Sequence, residues 1–301
     1  MKMSRRPEDT SYTFQTGSVT SNDGTLLGYR KLGKGSGVIL LHGGANASQS
    51  YSMLGAALSD VFTVYIPDRR GRGMSGPFGD NYSMRKEVDD VAALLSKTGG
   101  HNVFGLSSGA LIALQAALEL PSIRKAVINE PPLDIDNSII TMLQSFMPQF
   151  DREIAEDKVA EAMVTLLRDF GALFLPESLR PLVTMAPRFA LVWLFRQILR
   201  RDAQNVKGVD VPLQELIPTF HFDCQLVVEM QGTLESFKAV PAEALLLGAS
   251  KSPAFLKRTL DALERVLPNV RRVELQGLGH AAAVDGGKPE RVAQELRRFF
   301  L

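Results

Sequence analysis

The sequence predicts an α/β fold built on a mostly parallel, doubly wound sheet. Two observations predict it. Short apolar runs without alternation recur along the chain, as strands buried on both faces require. Segments with helical spacing separate most of them, the alternation that builds parallel sheets.

The runs are "GVILLHGG", "FTVYIPD", "NVFGLSS" and "KAVINEPP", then, after a long gap, "AEALLLGAS" and "RRVELQGLG". The helical segment "MRKEVDDVAALLSKTG" leads into the third run and ends on glycine, a common helix stop. "GALIALQAALEL" follows that run and stops at Pro121. "SPAFLKRTLDALERVLP" separates the last two runs, and "KPERVAQELRRFF" closes the chain. Upstream, "YTFQTGSVTSNDG" and "TLLGYRKLG" read as two further strands. Asn22-Asp23-Gly24 supplies a hairpin turn between them, because these residue types tolerate positive φ.

The gap is an insertion. A core of residues 1–131 and 238–301 is interrupted by residues 132–237, between the strand ending at Glu130 and the strand ending near Gly248. The insertion has a helical pattern and holds half of the ten methionines and the single tryptophan, Trp193. Prolines at 176, 181, 187, 212 and 218 are expected to break it into short helices. Most of its apolar residues should form its own core; the rest are expected to line an apolar pocket at the strand ends. Trp193, Phe220 and His221 are candidate ligand contacts there, together with Ala45 of the core.

Composition narrows the function. The 301 residues are 45 % hydrophobic and carry 34 basic against 33 acidic side chains, a net charge of +1. No basic face is implied, which argues against nucleic acid as a partner. The single cysteine, Cys224, excludes an internal disulfide framework and a cysteine-based zinc site. "MKMSRRPEDTSYTF" has basic residues but no apolar run after them, so no secretory signal is read there. No stretch is apolar for long enough to span a membrane. A cytoplasmic protein is expected. Nothing in the sequence decides between a monomer and a homodimer.

"VFGLSSGA" carries the chemistry. G-x-S-x-G arises readily by chance, but here it follows a buried strand and opens a helix, the setting of a nucleophile elbow. The pattern selects Ser107, flanked two residues away by Gly105 and Gly109. The sharp turn should push Ser107 into sparsely populated φ/ψ space and expose its Oγ. The Ser108 N–H, at the helix start, would then stabilise an oxyanion. A second donor is expected from the loop after "VILLHGG", with Gly44 the candidate and Ala45 beside it. A residue without a side chain lets a carbonyl approach. His42, which begins that loop, is read as structural.

A nucleophile needs a base. Of four histidines, His101 opens the elbow strand at its far end and His221 lies in the insertion. His280, in "LQGLGHAAA", follows the last strand and so reaches the sheet edge that holds Ser107.

Taken together, the "HGG" loop, "DRRGRGMSG", "GLSSG" and the late "GLGH" resemble the α/β-hydrolase superfamily. The resemblance covers residues 20–131 and 238–300, and likens the insertion to that superfamily's variable cap. Arg69, Arg70 and Arg72 are then structural or surface residues. In many relatives an aspartate follows the strand that here reads "ALLLGASKSP", where this chain has Lys251. A lysine cannot hold an imidazolium. Some members place the acid one strand earlier, which here is Glu130. Asp134, Asp223, Glu229 and Asp285 are lesser candidates. An acid at Glu130 with an "SSG" elbow is similar in layout to zearalenone-type lactone hydrolases, whose pocket takes a large apolar macrolactone.

The expectation is a serine hydrolase of an apolar ester or lactone, with no metal and no organic cofactor. Ser107 attacks, His280 relays the proton, Glu130 orients His280, and the Gly44 and Ser108 amides hold the oxyanion. A ligand receptor on the same scaffold, a carbon–carbon bond hydrolase and a cofactor-free oxygenase remain as alternatives.

Overall fold

The computed structural model describes residues 13–301. Most of the segment read for a secretory signal therefore lies outside the described residues. The chain forms an eight-stranded sheet ordered β1-β2-β4-β3-β5-β6-β7-β8. The strands are β1 (Gln15–Thr20), β2 (Leu26–Gly33), β3 (Ser36–Leu41) and β4 (Phe62–Pro67), then β5 (Asn102–Leu106), β6 (Lys125–Asn129), β7 (Glu243–Ala249) and β8 (Val270–Leu275). β1 and β2 form the expected hairpin across residues 22–24, pairing Thr20 with Leu26, and β2 runs antiparallel to β4. All other pairings are parallel.

Helices α1 (Ser52–Leu58), α2 (Met84–Thr98) and α3 (Ser108–Glu119) precede the insertion. Within it lie α4 (Ser138–Ala155), α5 (Val159–Asp169), α6 (Arg180–Met185), α7 (Arg188–Asn205), α8 (Leu213–Leu216) and α9 (Phe220–Glu229). α10 (Ala254–Val266) and α11 (Pro289–Phe300) close the fold.

Alternate residues of the central strands feed two separate cores. Ile39, Leu41, Val103, Ile128 and Leu246 pack with α2, α3 and α10 on one face. Val38, Leu40, Phe104, Val127 and Leu247 pack with α1 and α11 on the other. This is why these strands show no polar–apolar alternation. β8 departs from that expectation: as an edge strand it leaves most of its residues partly or fully exposed.

The insertion between β6 and β7 is helical, as expected, but not all short. α4 and α7 each run for 18 residues, and Pro148 lies inside α4. Pro187 and Pro212 do mark helix starts.

Topology fixes where a site can form. The chain leaves β3 toward β4 on one side and β5 toward β6 on the other, so the loops after β3 and β5 diverge at the sheet's switch point. Ligands bind beyond the carboxyl ends of strands at such a point.

Candidate active site

Ser107 joins β5 to α3 with φ +56 and ψ −124, a conformation that L-residues rarely adopt. The flanking glycines make it attainable. A Cβ on Gly105 would lie 2.1 Å from the Gly109 carbonyl oxygen, and one on Gly109 would lie 2.5 Å from the oxygens of both Leu41 and His42. The elbow therefore closes only without side chains at those two positions. The Ser107 N–H donates to the Asn129 carbonyl at 3.0 Å, tying the turn to β6.

The loop after β3 lies against this turn. A Cβ on Gly43 would meet Ser107 Cβ at 3.1 Å. Ala45 is held at φ +50. The N–H groups of Gly44 and Ser108 donate to no protein acceptor among the described residues. Both residues border one cavity. Two free amides, one of them at a helix start, make a site for developing negative charge.

His42 is locked as a neutral ring. Its Nδ1–H donates to the Gly43 carbonyl at 3.0 Å, and its Nε2 accepts the Arg69 N–H at 3.1 Å. Full burial, with Arg72 and Arg69 nearby, holds its pKa well below the usual value.

His280 and Glu130 meet across 150 positions of sequence. Nδ1 of His280 lies 2.6 Å from Glu130 Oε2. The other carboxylate oxygen, Oε1, accepts the Ala249 N–H at 2.7 Å. Glu130 is fully buried, while His280 keeps partial exposure. Glu130 also sits at positive φ, +50, which turns its side chain out of β6 toward the end of β7. Three strained non-glycine residues, Ala45, Ser107 and Glu130, thus stand at the ends of β3, β5 and β6. Such strain concentrates at functional sites. With Nδ1 engaged, Nε2 of His280 is free to face the cavity that Ser107 borders.

The lesser carboxylates have other partners. Asp134 caps α4 through the Ile140 N–H, and Glu229 accepts the Met84 N–H at the start of α2. Asp285 accepts the Met53 N–H at 2.9 Å, and burial raises its pKa to about 6. Lys251 is exposed.

The cavity holds about 310 Å³, at the small end of ligand sites. Its walls are largely apolar, with Leu143, Phe170, Phe174, Phe220 and Val227 among them. Phe174 stacks obliquely on His280, ring centres 5.0 Å apart. Asp223, from α9, is the one carboxylate in this lining. Its Oδ1 accepts from Arg69 and from Ser108 Oγ, both at 2.8 Å. Its Oδ2 accepts from Arg72 at 2.7 Å and from the Ala45 N–H at 3.3 Å. Burial alone would raise its pKa, but Arg72 and Arg69 outweigh that and bring it to about 2. Arg69 is balanced further by Glu87 at 2.9 Å. The three arginines of "DRRGR" are all buried.

The structure brings Ser107, Ser108, His280, Gly44, Ala45 and Phe220 to one cavity, with Glu130 behind His280. It does not bring Trp193 or His221 there. His221 is exposed and pairs with Asp151 at 2.9 Å on the outer side of α9. Trp193 is 64 % exposed on α7, whose buried residues are only Val192 and Leu199. One residue on from Val192, Trp193 is rotated about 100° away from that stripe. The expectation that these two residues contact ligand in the same pocket is therefore corrected. Trp193→Ser should leave kcat/KM for a soluble substrate within about twofold, a surface-sized effect, which steady-state kinetics would check.

Sequence reading missed Phe170, Phe174 and the partners of Asp223. The phenylalanines sit four apart, as helix-core residues often do, and the Asp223 partners lie more than a hundred positions away. No local signal marked either.

The model of the alpha/beta hydrolase fold matches residues 38–287. The chain belongs to that family. A crystal structure of an alpha/beta hydrolase from Sphaerobacter thermophilus superposes with a TM-score of 0.74 at 26 % identity, covering 95 % of this chain and all of that one. An esterase from a Rhodococcus species shares the fold at 21 % identity, with a TM-score of 0.67 over 94 % of this chain and 98 % of that one. N-formylmaleamate deformylase of Pseudomonas putida is 29 % identical over 126 residues, 40 % of this chain. An uncharacterised hydrolase of Bacillus subtilis is 30 % identical over 125 residues, 38 % of this chain. The matched stretch spans 47 % and 46 % of those two relatives, less than half of either. Among the described residues no helix is long and apolar enough to cross a membrane.

Proposed function

We propose that this α/β hydrolase is a serine esterase or lactonase acting on an uncharged substrate with an apolar acyl part. The observation that carries the reading is the Glu130–His280 contact at 2.6 Å, at the mouth of the apolar cavity bordered by the strained Ser107. Glu130 keeps the proton of His280 on Nδ1, leaving Nε2 to accept the proton of Ser107 Oγ as that oxygen attacks the carbonyl carbon. The Gly44 and Ser108 amides receive the oxyanion. His280 then returns the proton to the leaving alkoxide, and water, activated the same way, cleaves the acyl-enzyme. Every step uses the chain's own groups, so the enzyme is read as working without metal or organic cofactor.

Residues 132–237 act as the cap in this reading, over a core of residues 1–131 and 238–301, and the enzyme is read as cytoplasmic. Asp223 reaches from the cap to the oxyanion loop through Ala45 and to the elbow through Ser108. It is a positioning residue, neutralised by Arg69 and Arg72. The apolar walls favour neutral acyl groups, because a charged one would lose its water there without gaining a partner.

A fluorophosphonate probe followed by a substrate panel tests the reading. Labelling should fall on Ser107 alone. Hydrolysis should extend over aryl esters of medium acyl length and lactones, with the macrolactone zearalenone setting the upper size and an N-formyl amide the alternative acyl bond. Absence of labelling with intact His280 would instead support a receptor.

A further inference from the structure

Trp193 lies outside the cavity, on a segment whose surface is unusual. Leu182 and Met185 on α6 are 67 % and 82 % exposed, and Phe189, Trp193 and Leu194 on α7 are 78 %, 64 % and 46 % exposed. Soluble monomers seldom display large apolar side chains in such a run. α7 packs inward through α5 along its narrow stripe of Val192 and Leu199, so the apolar residues on its other side have no protein cover.

The charges here are one-sided. From Ser178 to Arg201 the chain has five arginines and no aspartate, glutamate or lysine, although the whole protein is balanced at 34 against 33. Arg188 and Arg196 are paired with Glu153 and Glu161, and Glu161 borders the same surface groove as Phe189 and Trp193. Arg180 bonds the Leu173 and Leu175 carbonyls and keeps its net charge. Arg200 and Arg201 are exposed at the end of α7, with no carboxylate partner among the described residues. Phe, Trp and Leu on one surface, bordered by arginines, is the composition of a helix that lies in a lipid interface.

We propose that the outer face of α6 and α7 docks on an anionic lipid surface. Phe189 and Trp193 enter the boundary between headgroups and acyl chains, while Arg200 and Arg201 meet the lipid phosphates. Nothing spans the bilayer, in keeping with the absence of a spanning helix among the described residues. A second copy of the chain is the weaker occupant. A two-fold contact through this face would bring together the Arg200 and Arg201 of both copies, which have no carboxylate partner among the described residues. The face is continuous in sequence with the cavity wall, since Phe170 and Phe174 lie just before α6. Docking would hold the cavity close to the membrane from which an apolar substrate partitions. The proposal does not depend on which residue is the nucleophile.

Trp193 is the only tryptophan, so intrinsic fluorescence reads this face directly. Vesicles of phosphatidylglycerol and phosphatidylcholine should shift its emission to the blue and carry the protein down in sedimentation. Pure phosphatidylcholine vesicles should do so at least tenfold more weakly. Arg200→Glu with Arg201→Glu should lower partitioning into the anionic vesicles by at least tenfold, at roughly fivefold per basic charge lost. Phe189→Ser should weaken it as well. Both variants change exposed side chains, and an unaltered melting temperature would show that they fold. Unchanged emission in the presence of anionic vesicles overturns the proposal. So does a blue shift that grows with protein concentration in the absence of lipid together with a doubled mass by light scattering, which assigns the face to a second copy.

Discussion

Ser107→Ala is expected to lower kcat for ester hydrolysis by about 10⁶-fold, the loss seen when a serine nucleophile is removed. It should leave the fold intact, because alanine occupies the same backbone with one atom fewer. The prediction separates the reactions that this scaffold could run. An oxygenase relying on His280 and Glu130 would keep much of its turnover, and a receptor would keep its ligand. Ser107→Gly adds a second, physically distinct readout. Ser107 is held at φ +56 and ψ −124. Glycine accepts that region without strain, which costs other residues about 1–3 kcal/mol. Ser107→Gly should therefore raise the melting temperature above that of Ser107→Ala while both remain inactive. Stability given up at a functional position is the expected pattern for a site built under strain. Equal melting temperatures would mean that the elbow stores little of that strain.

Glu130→Gln is expected to lower kcat by about 10⁴-fold, as when a triad acid loses its charge. The geometry gives the reason. Oε1 accepts the Ala249 N–H and Oε2 faces Nδ1 of His280. A glutamine has only one acceptor oxygen. If that oxygen keeps the Ala249 amide, its NH₂ group faces Nδ1, and the ring must move its proton to Nε2. That tautomer cannot take the proton of Ser107. Lys251→Ala, after the strand where the family resemblance would place the acid, should change kcat by no more than about twofold, because Lys251 is exposed. Steady-state kinetics on the two variants decide the matter: a mild Glu130→Gln with a damaging Lys251→Ala would move the acid elsewhere.

How much of this was legible in the sequence differs by element. The strands β3 to β7 were readable because each buries both faces, so each is a short apolar run with glycine or proline within three residues of its end. Edge strand β8 was assigned by the same rule and proved half exposed. Helix α1 went unread, since "SMLGAAL" is short, contains a glycine and has no capping signal. In the candidate site, Ser107 was legible from its two glycines, and those glycines are needed for packing that only coordinates display. Arg69, Arg70 and Arg72 could be called structural or surface, but not which, because a charged triplet has the same pattern buried or exposed.

The sequence by itself determined the strand–turn–helix around Ser107 and the existence of a helical insertion. These are properties of local pattern, in which residue type and spacing dictate backbone conformation. The tertiary structure alone decided which carboxylate meets His280, because that contact spans 150 positions and depends on how β6 and β7 align. It also decided that Asp223 faces inward against two arginines while Trp193 faces outward. Apolarity and charge are encoded residue by residue, but the side a helix turns to its neighbours is fixed only by what packs against it.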